Sequence, residues 1–133
     1  MHGFNLTTMA AHNDLGKWGE EIAVNFLHKK GYTIRECDWR IGHRDIDIIA
    51  LTPDMRTVVF VEVKTRTSNL VRTPEQAVDH RKIRNIGIAA NAYVKMNKIN
   101  LELRFDVLTI VGDENGIPVI EYLEDAFNPM LVY

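Results

Sequence analysis

Two stretches of this chain carry charged side chains at spacings that could support chemistry: Asp45 and Asp47 in the first, Glu62 and Lys64 in the second. Glu62 interrupts an apolar run, Val58–Val63, of the kind that forms strands buried on both faces. An ionised carboxylate is costly in such a strand unless an opposite charge or a metal ion accompanies it. The position of Glu62 therefore predicts either a functional site or a buried ion pair.

The two stretches are predicted to be adjacent strands of a hairpin. Side chains alternate along a strand, so Glu62 and Lys64 share one face. A turn centred on Asp54-Met55 places Asp47 directly opposite Glu62, with Cβ atoms about 5 Å apart. Two carboxylates at that distance repel each other, and a shared proton or a divalent cation relieves the repulsion. We favour the cation, because Lys64 stands beside the pair as a point charge with mobile donors.

This constellation suits metal-assisted hydrolysis of a phosphodiester bond. Asp47 and Glu62 supply the hard oxygen ligands that Mg²⁺ prefers, and they are the predicted metal ligands. Glu20 falls at the edge of the apolar stripe of the first predicted helix, from where it can add a carboxylate directly or through water. Lys64 can orient the attacking water, while the ion offsets charge on the phosphoryl group. The competing interpretation is a buried ion cluster with a structural role.

Length and composition predict one domain. The chain has 133 residues, of which 46% are hydrophobic and 26% charged, as is ordinary for a soluble globular protein. Its single cysteine, Cys37, excludes an intramolecular disulfide and fits a reducing cytoplasm. No apolar segment is long enough to span a membrane. Residues 1–13 show no secretory signal and are predicted to be a flexible tail before a single domain over 14–133.

The distribution of charge favours a polyanionic partner. The formal net charge of −2 argues mildly against nucleic acid. From Lys64 to Arg84, however, six basic residues stand against two acidic ones, directly after the acidic cluster. A carboxylate site beside a basic flank suits nucleic acid, and the candidate contacts are Arg66, Arg72 and Lys82. The alternative is that these are ordinary solvated side chains.

The hydrophobic patterns predict the element order α-β-β-β-α-β-β, with one mixed sheet flanked by helices. The first helix is predicted over 14–30. The second is predicted to begin with a capping box at Thr73–Gln76 and to end near Met96. The strands are predicted within Tyr32–Arg40, the hairpin Arg44–Thr65, Leu101–Val111 and Ile117–Leu123.

These residues also resemble a known family. The run Val59–Lys64, preceded by Asp45–Ala50, looks like the YraN family of uncharacterised bacterial proteins, and the resemblance covers most of the chain. That family is similar to the restriction-endonuclease-like, PD-(D/E)xK superfamily and to archaeal Holliday junction resolvases. Further matching positions are Gly16, Gly19-Glu20, Ala23, Leu27, Gly31-Tyr32, Trp39-Arg40, Lys82, Arg104–Val107 and Ala126-Phe127.

The resemblance implies an α/β, restriction-endonuclease-like fold with Glu20, Asp47, Glu62 and Lys64 as the catalytic site. It implies a nuclease that uses Mg²⁺ or Mn²⁺ and acts on DNA, with branched or structured DNA as a candidate substrate, and that forms a homodimer. Members of the family usually carry glutamate where this chain has Asp45, which is one methylene shorter. That departure and the net acidity leave a second hypothesis open: a non-catalytic module that retains the nuclease fold and binds nucleic acid or protein.

Overall fold

The computed structural model describes residues 8–66, 79–112 and 116–131, with side chains described from residue 15 to residue 130 within those ranges. The described elements follow the predicted order. They are α1 (Thr8–Lys29), β1 (Thr33–Ile41), β2 (Arg44–Leu51), β3 (Thr57–Arg66), α2 (His80–Met96), β4 (Glu102–Val111), β5 (Val119–Leu123) and a short 3₁₀ helix (Pro129–Leu131).

The five strands form one mixed sheet in the order β1-β2-β3-β4-β5. β3 and β4 are parallel, and the other neighbours are antiparallel. Parallel neighbours need a crossover connection, and α2 lies in the connection between β3 and β4. The predicted α/β arrangement, one mixed five-stranded sheet with the element order α-β-β-β-α-β-β, is therefore confirmed.

The central strand β3 has no free face. Val58 and Phe60 pack in one hydrophobic cluster with residues of α2, whereas Val59 and Val61 pack in a second cluster with residues of α1. Since successive side chains of a strand point to opposite faces, the two helices cover opposite sides of the sheet. This double coverage explains the unbroken apolar run of β3 and places any charge within it inside the protein.

The first helix is longer than predicted. α1 begins at Thr8, six residues before the expected start at Asp14, so residues 8–13 are helical rather than part of a loose tail. These residues include Met9, Ala10 and Ala11 and contain neither glycine nor proline, so nothing in their helix propensity stops the helix from extending. Residues 1–7 lie outside the described part of the chain.

The second helix is described from His80. Asp79 is its N-cap, and the Asp79 carboxylate accepts a hydrogen bond of 2.8 Å from the backbone N–H of Lys82. The capping box predicted at Thr73–Gln76 lies outside the described residues. Neither α1 nor α2 is long and apolar enough to cross a membrane.

A carboxylate on β4, Asp106, is fully buried and has a complete set of partners. Arg104 forms an ion pair with Asp106 at 2.9 Å and donates a hydrogen bond of 2.7 Å to the hydroxyl of Tyr32. The hydroxyl of Tyr122 and the backbone N–H of Asp125 also donate to the Asp106 carboxylate. This network ties β4 to β5 and to the start of β1, and both oxygens of Asp106 are used.

Removal of the Asp106 carboxylate should destabilise the folded protein strongly. We expect Asp106→Ala to lower the free energy of unfolding by about 3 kcal/mol or more, because it removes the buried acceptor shared by Arg104, Tyr122 and the Asp125 N–H and leaves Arg104 only its 3.6 Å contact with the exposed Glu124. Urea denaturation measures the change. The matched control is Glu121→Ala, an exposed carboxylate on β5 that should cost no more than about 0.5 kcal/mol. Equal losses in the two variants would show that the network contributes nothing specific.

Candidate active site

Asp47 and Glu62 meet where β2 separates from β3. The last recorded pair of the ladder is Ile48 with Val61, and one further step of the same register sets Asp47 opposite Glu62, as predicted. At this point the carboxylate Oδ2 of Asp47 accepts a hydrogen bond of 2.8 Å from the backbone N–H of Val63. A side chain therefore takes the place that a carbonyl of β2 would have in a continued ladder.

Glu62 is the buried acid of this site. Only 4% of it is exposed, and its Oε1 accepts no hydrogen bond among the described residues. Oε2 lies 3.3 Å from Nζ of Lys64, and Oε1 lies 3.9 Å from Nζ of Lys82. Unlike Asp106, Glu62 keeps an unused acceptor inside the protein, where an additional positive partner would be favourable.

The two neighbouring acids resist carrying charge at the same time. Burial raises the pKa of Glu62 to about 8, with the nearby Asp47 carboxylate adding to the shift and Lys82 and Lys64 opposing it. Burial also raises the pKa of Asp47, against the hydrogen bond from the Val63 N–H. Because the two groups interact directly, they titrate as a pair. A further positive charge beside the pair would favour ionisation of both carboxyl groups.

Lys82, predicted as a nucleic-acid contact, extends from α2 into the same site. Its Nζ lies 3.4 Å from Oδ1 of Asp45 in addition to its contact with Glu62. Burial by itself would lower the pKa of Lys82, but the carboxylates of Glu62 and Asp45 outweigh it and raise the pKa. One turn further along α2, Asn85 accepts a hydrogen bond of 3.1 Å from Nε of Arg44. The start of β2 is thus tied to α2 beside Lys82.

Glu20 approaches the site from the opposite side of the sheet. It is half-buried on α1, and burial raises the pKa of its carboxyl, followed by the effect of the Asp47 carboxylate. It also lines a cavity of about 410 Å³ together with Cys37 of β1. Among the described residues, however, no three His, Cys, Asp or Glu side chains form a group that could hold one metal ion. The structure thus brings Asp47, Glu62 and Lys64 together and leaves Glu20 outside direct coordination with them.

Of the two other predicted nucleic-acid contacts, Arg66 and Arg72, the structure describes only Arg66. Arg66 ends β3, and by alternation its side chain is on the face of Glu62 and Lys64. Its Nε is buried and has no hydrogen-bond acceptor among the described residues. Arg72 lies outside the described part of the chain.

α1 and β3 approach each other closely at Gly19, a residue to which the sequence analysis assigned no role. A Cβ on Gly19 would overlap Cγ2 of Thr65 and lie 3.3 Å from its Cβ, whereas a Cβ on Gly16 would meet nothing within 4 Å. Glycine inside a helix costs stability relative to alanine. At Gly19 the absence of a side chain has a packing role, because any Cβ there would overlap Thr65. It lets the helix bring Glu20 up to the end of β3. The available signal was a glycine within a helical pattern, a signal that Gly16 shares.

The family model described as "Uncharacterised protein family UPF0102" matches residues 19–110, a range that contains every acid and lysine of this site. The chain belongs to this family. The resemblance to the YraN family is thereby confirmed.

Curated members of UPF0102 match nearly the whole chain. A UPF0102 protein of Bacteroides thetaiotaomicron is 46% identical over 92% of this chain and 99% of its own length. One from Porphyromonas gingivalis is 47% identical, over 93% of this chain and 90% of that protein. One from Flavobacterium psychrophilum is 44% identical over 90% and 98% of the two chains.

Among solved structures, Pyrococcus furiosus SfsA in complex with Ca²⁺ aligns with a TM-score of 0.38 and 17% identity. The alignment covers 85% of this chain and 63% of that one. A likeness at this level carries no conclusion about the site or its reaction.

The raised pKa of Glu62 predicts how stability depends on pH. An acid with a higher pKa in the folded than in the unfolded protein holds its proton more tightly when folded. The free energy of unfolding should therefore fall as the pH rises from the ordinary value of 4.5 toward about 8. Glu62→Gln should flatten this dependence, and Glu121→Gln should leave it unchanged. Urea denaturation at about pH 5 and about pH 8, in metal-free buffer, measures the difference; an equal slope in wild type and Glu62→Gln would contradict it.

The close approach at Gly19 predicts opposite effects for two similar substitutions in one helix. Gly16→Ala should stabilise the protein by about 0.5–1 kcal/mol through helix propensity. Gly19→Ala should instead cost about 1–3 kcal/mol, because the added methyl overlaps Thr65. Adding Thr65→Ser, which removes Cγ2, should recover most of that loss. Urea denaturation of these three variants and the wild type tests this packing, and stabilisation by Gly19→Ala would refute it.

Proposed function

We propose that this UPF0102 protein is a divalent-metal-dependent nuclease that hydrolyses phosphodiester bonds of DNA, with branched or structured DNA as its substrate class. One observation carries the proposal: Glu62 is buried on the central strand with an unused oxygen, beside Asp47 and between two lysines. A buried carboxylate with a purely structural role is expected to have all its acceptors satisfied, as Asp106 does. Glu62 instead has the arrangement expected of a group that receives a ligand.

The residues at this site fit Mg²⁺ or Mn²⁺. Asp47 and Glu62 offer hard carboxylate oxygens, and the backbone carbonyl of Val63 is a further candidate ligand. Mg²⁺ keeps several waters and commonly binds through one or two carboxylates, so a third direct acidic ligand is not required. Glu20 would then act through a water. When bound, the ion supplies positive charge that lowers the pKa of water and offsets charge on the phosphoryl group.

Lys64 is the residue best suited to act on the water and the phosphate. Its ammonium pairs with Oε2 of Glu62 at 3.3 Å, and 34% of its side chain is exposed, so it faces both the acid and the solvent. An ammonium in this position can orient the attacking water and stabilise negative charge on the phosphate oxygens. The water oxygen forms the new bond to phosphorus and the water gives up a proton, while the bond to the leaving oxygen breaks and that oxygen takes up a proton.

Arg66 extends the positive charge away from the acids. It follows Lys64 on the same face of β3, and its buried Nε has no acceptor among the described residues. A donor of this kind suits a phosphate oxygen. Glu62, Lys64 and Arg66 thus follow one another along one face of β3, as a polyanion that is cleaved at Glu62 would need.

The nuclease proposal is tested with DNA and divalent ions. Wild-type protein should cleave at least one of linear, circular, flapped or four-way DNA with Mg²⁺ or Mn²⁺, and EDTA should stop the cleavage. Glu62→Ala and Lys64→Ala should each lower the rate by about 100-fold or more, because each removes a group that stabilises charge in the reaction. The controls Glu121→Ala and Lys95→Ala, both at exposed positions, should keep the wild-type rate. No cleavage of any substrate by the wild type, or equal cleavage by all variants, would refute the proposal.

A calorimetric Mg²⁺ titration separates the nuclease from a binding module that retains its fold. The nuclease should take up the ion at a site that Asp47→Asn weakens. A binding module would bind DNA with an affinity that falls steeply with salt, since phosphate contacts dominate such binding, and it would show no such ion site. Salt-dependent DNA binding without ion uptake would therefore replace the nuclease proposal by the binding module.

A further inference from the structure

Lys82 is a lysine in the buried stripe of a helix, and its ammonium lies between two acids. Nζ is 3.4 Å from Oδ1 of Asp45 and 3.9 Å from Oε1 of Glu62, which is the oxygen that accepts no hydrogen bond. The contact with Glu62 is therefore a loose ion pair, longer than a hydrogen bond. The contact with Asp45 is the closer of the two.

An ion at Asp47 and Glu62 would compete with this ammonium. Both cations would be attracted to the same buried oxygen of Glu62, and two positive charges within a few ångströms of each other repel strongly in a partly buried site. The long, unbonded contact is the easier one to give up. Lysine has a flexible four-carbon stem, and 28% of this side chain is exposed, so the ammonium has a path toward solvent.

We infer that Lys82 is an exchangeable cation: its ammonium lies beside Oε1 of Glu62 while no ion is bound, and it turns to a substrate phosphate once an ion takes its place. The inference rests on the proposed function. Asp45 gives the exchange its geometry, because its carboxylate keeps the released ammonium beside the site. Lys82 would thus contact the substrate only after an ion has bound. Lys64 differs, because it pairs with the other oxygen of Glu62 and does not have to be displaced by the ion.

The first test measures the affinity for Mn²⁺ by calorimetry on the full chain without nucleic acid. Lys82→Gln removes the competing charge and should tighten Mn²⁺ binding by about fivefold or more, since the ion no longer displaces a cation. Lys95→Gln is the matched control: it makes the same change of charge on the same helix, about 20 Å away at 1.5 Å per residue, and should bind like the wild type. Lys82→Arg keeps the charge and should bind no more tightly than the wild type.

The outcomes distinguish failure of the exchange from failure of the nuclease proposal. If the wild type binds Mn²⁺ and Lys82→Gln binds it equally or more weakly, the exchange is refuted while the nuclease proposal stands. If no variant binds Mn²⁺, both are refuted. Thermal unfolding checks that each variant folds, and Lys82→Met, which keeps the apolar stem, is the second uncharged variant if Lys82→Gln does not.

The second test asks whether Lys82 meets the phosphate only after an ion is bound. DNA binding is measured in Ca²⁺, another hard divalent ion, and in EDTA, and the recovered DNA is checked for cleavage. Lys82→Gln should lose about tenfold in affinity in Ca²⁺ and almost nothing in EDTA, where the ammonium is held by the acids. An equal loss in both buffers would make Lys82 an ordinary phosphate contact and overturn the exchange.

Discussion

The burial of the Glu62 carboxylate is the constraint on which the rest of the site depends. α1 and α2 cover opposite faces of the sheet, so the middle of β3 has no side open to water. A carboxylate in that strand must be neutralised by protonation or by nearby cations. Both occur at Glu62. Burial raises its pKa, so the carboxyl group holds its proton more tightly, and Lys64 and Lys82 lie near its two oxygens. The burial of Glu62 on β3 therefore explains why two lysines lie beside this carboxyl group.

Asp106 and Glu62 show two outcomes of burying an acid in one sheet. Asp106 is surrounded by an arginine, a tyrosine hydroxyl and a backbone N–H, so both of its oxygens are used and the network holds strands together. Glu62 has one loose and one closer ion pair and an oxygen without a hydrogen bond. Breaking up the first arrangement costs stability only. The arrangement around Glu62 leaves one carboxylate oxygen able to accept a further partner. This difference favours a functional interpretation of Glu62 and a structural one of Asp106.

The sequence could predict what depends on local rules and not what depends on how the helices pack. The turn at Asp54-Met55 correctly predicted the register of β2 and β3, because register follows from chain neighbours. The recorded pairs end at Ile48 with Val61, and one further step of that register sets Asp47 opposite Glu62. Lys82 was predicted only as a nucleic-acid contact, and its approach to Asp45 and Glu62 could not be predicted, since whether a lysine turns to solvent or to an acid depends on where α2 meets the sheet. The role of Gly19 was missed because its reason, Thr65, is distant in the chain.

The separation of β2 from β3 at Asp47 explains how groups from both faces of the sheet can act at one place. Side chains on α1 and α2 are normally kept apart by the sheet between them. Where the ladder ends, Asp47 accepts a hydrogen bond from the backbone of β3, and its charge, like that of Asp45, acts both on Glu20 of α1 and on Lys82 of α2. In a continued ladder a backbone carbonyl of β2 would accept the hydrogen bond from the Val63 N–H. Because the Asp47 carboxylate accepts it instead, an acid lies at the end of the β2–β3 pairing, where charges on both helices act on it.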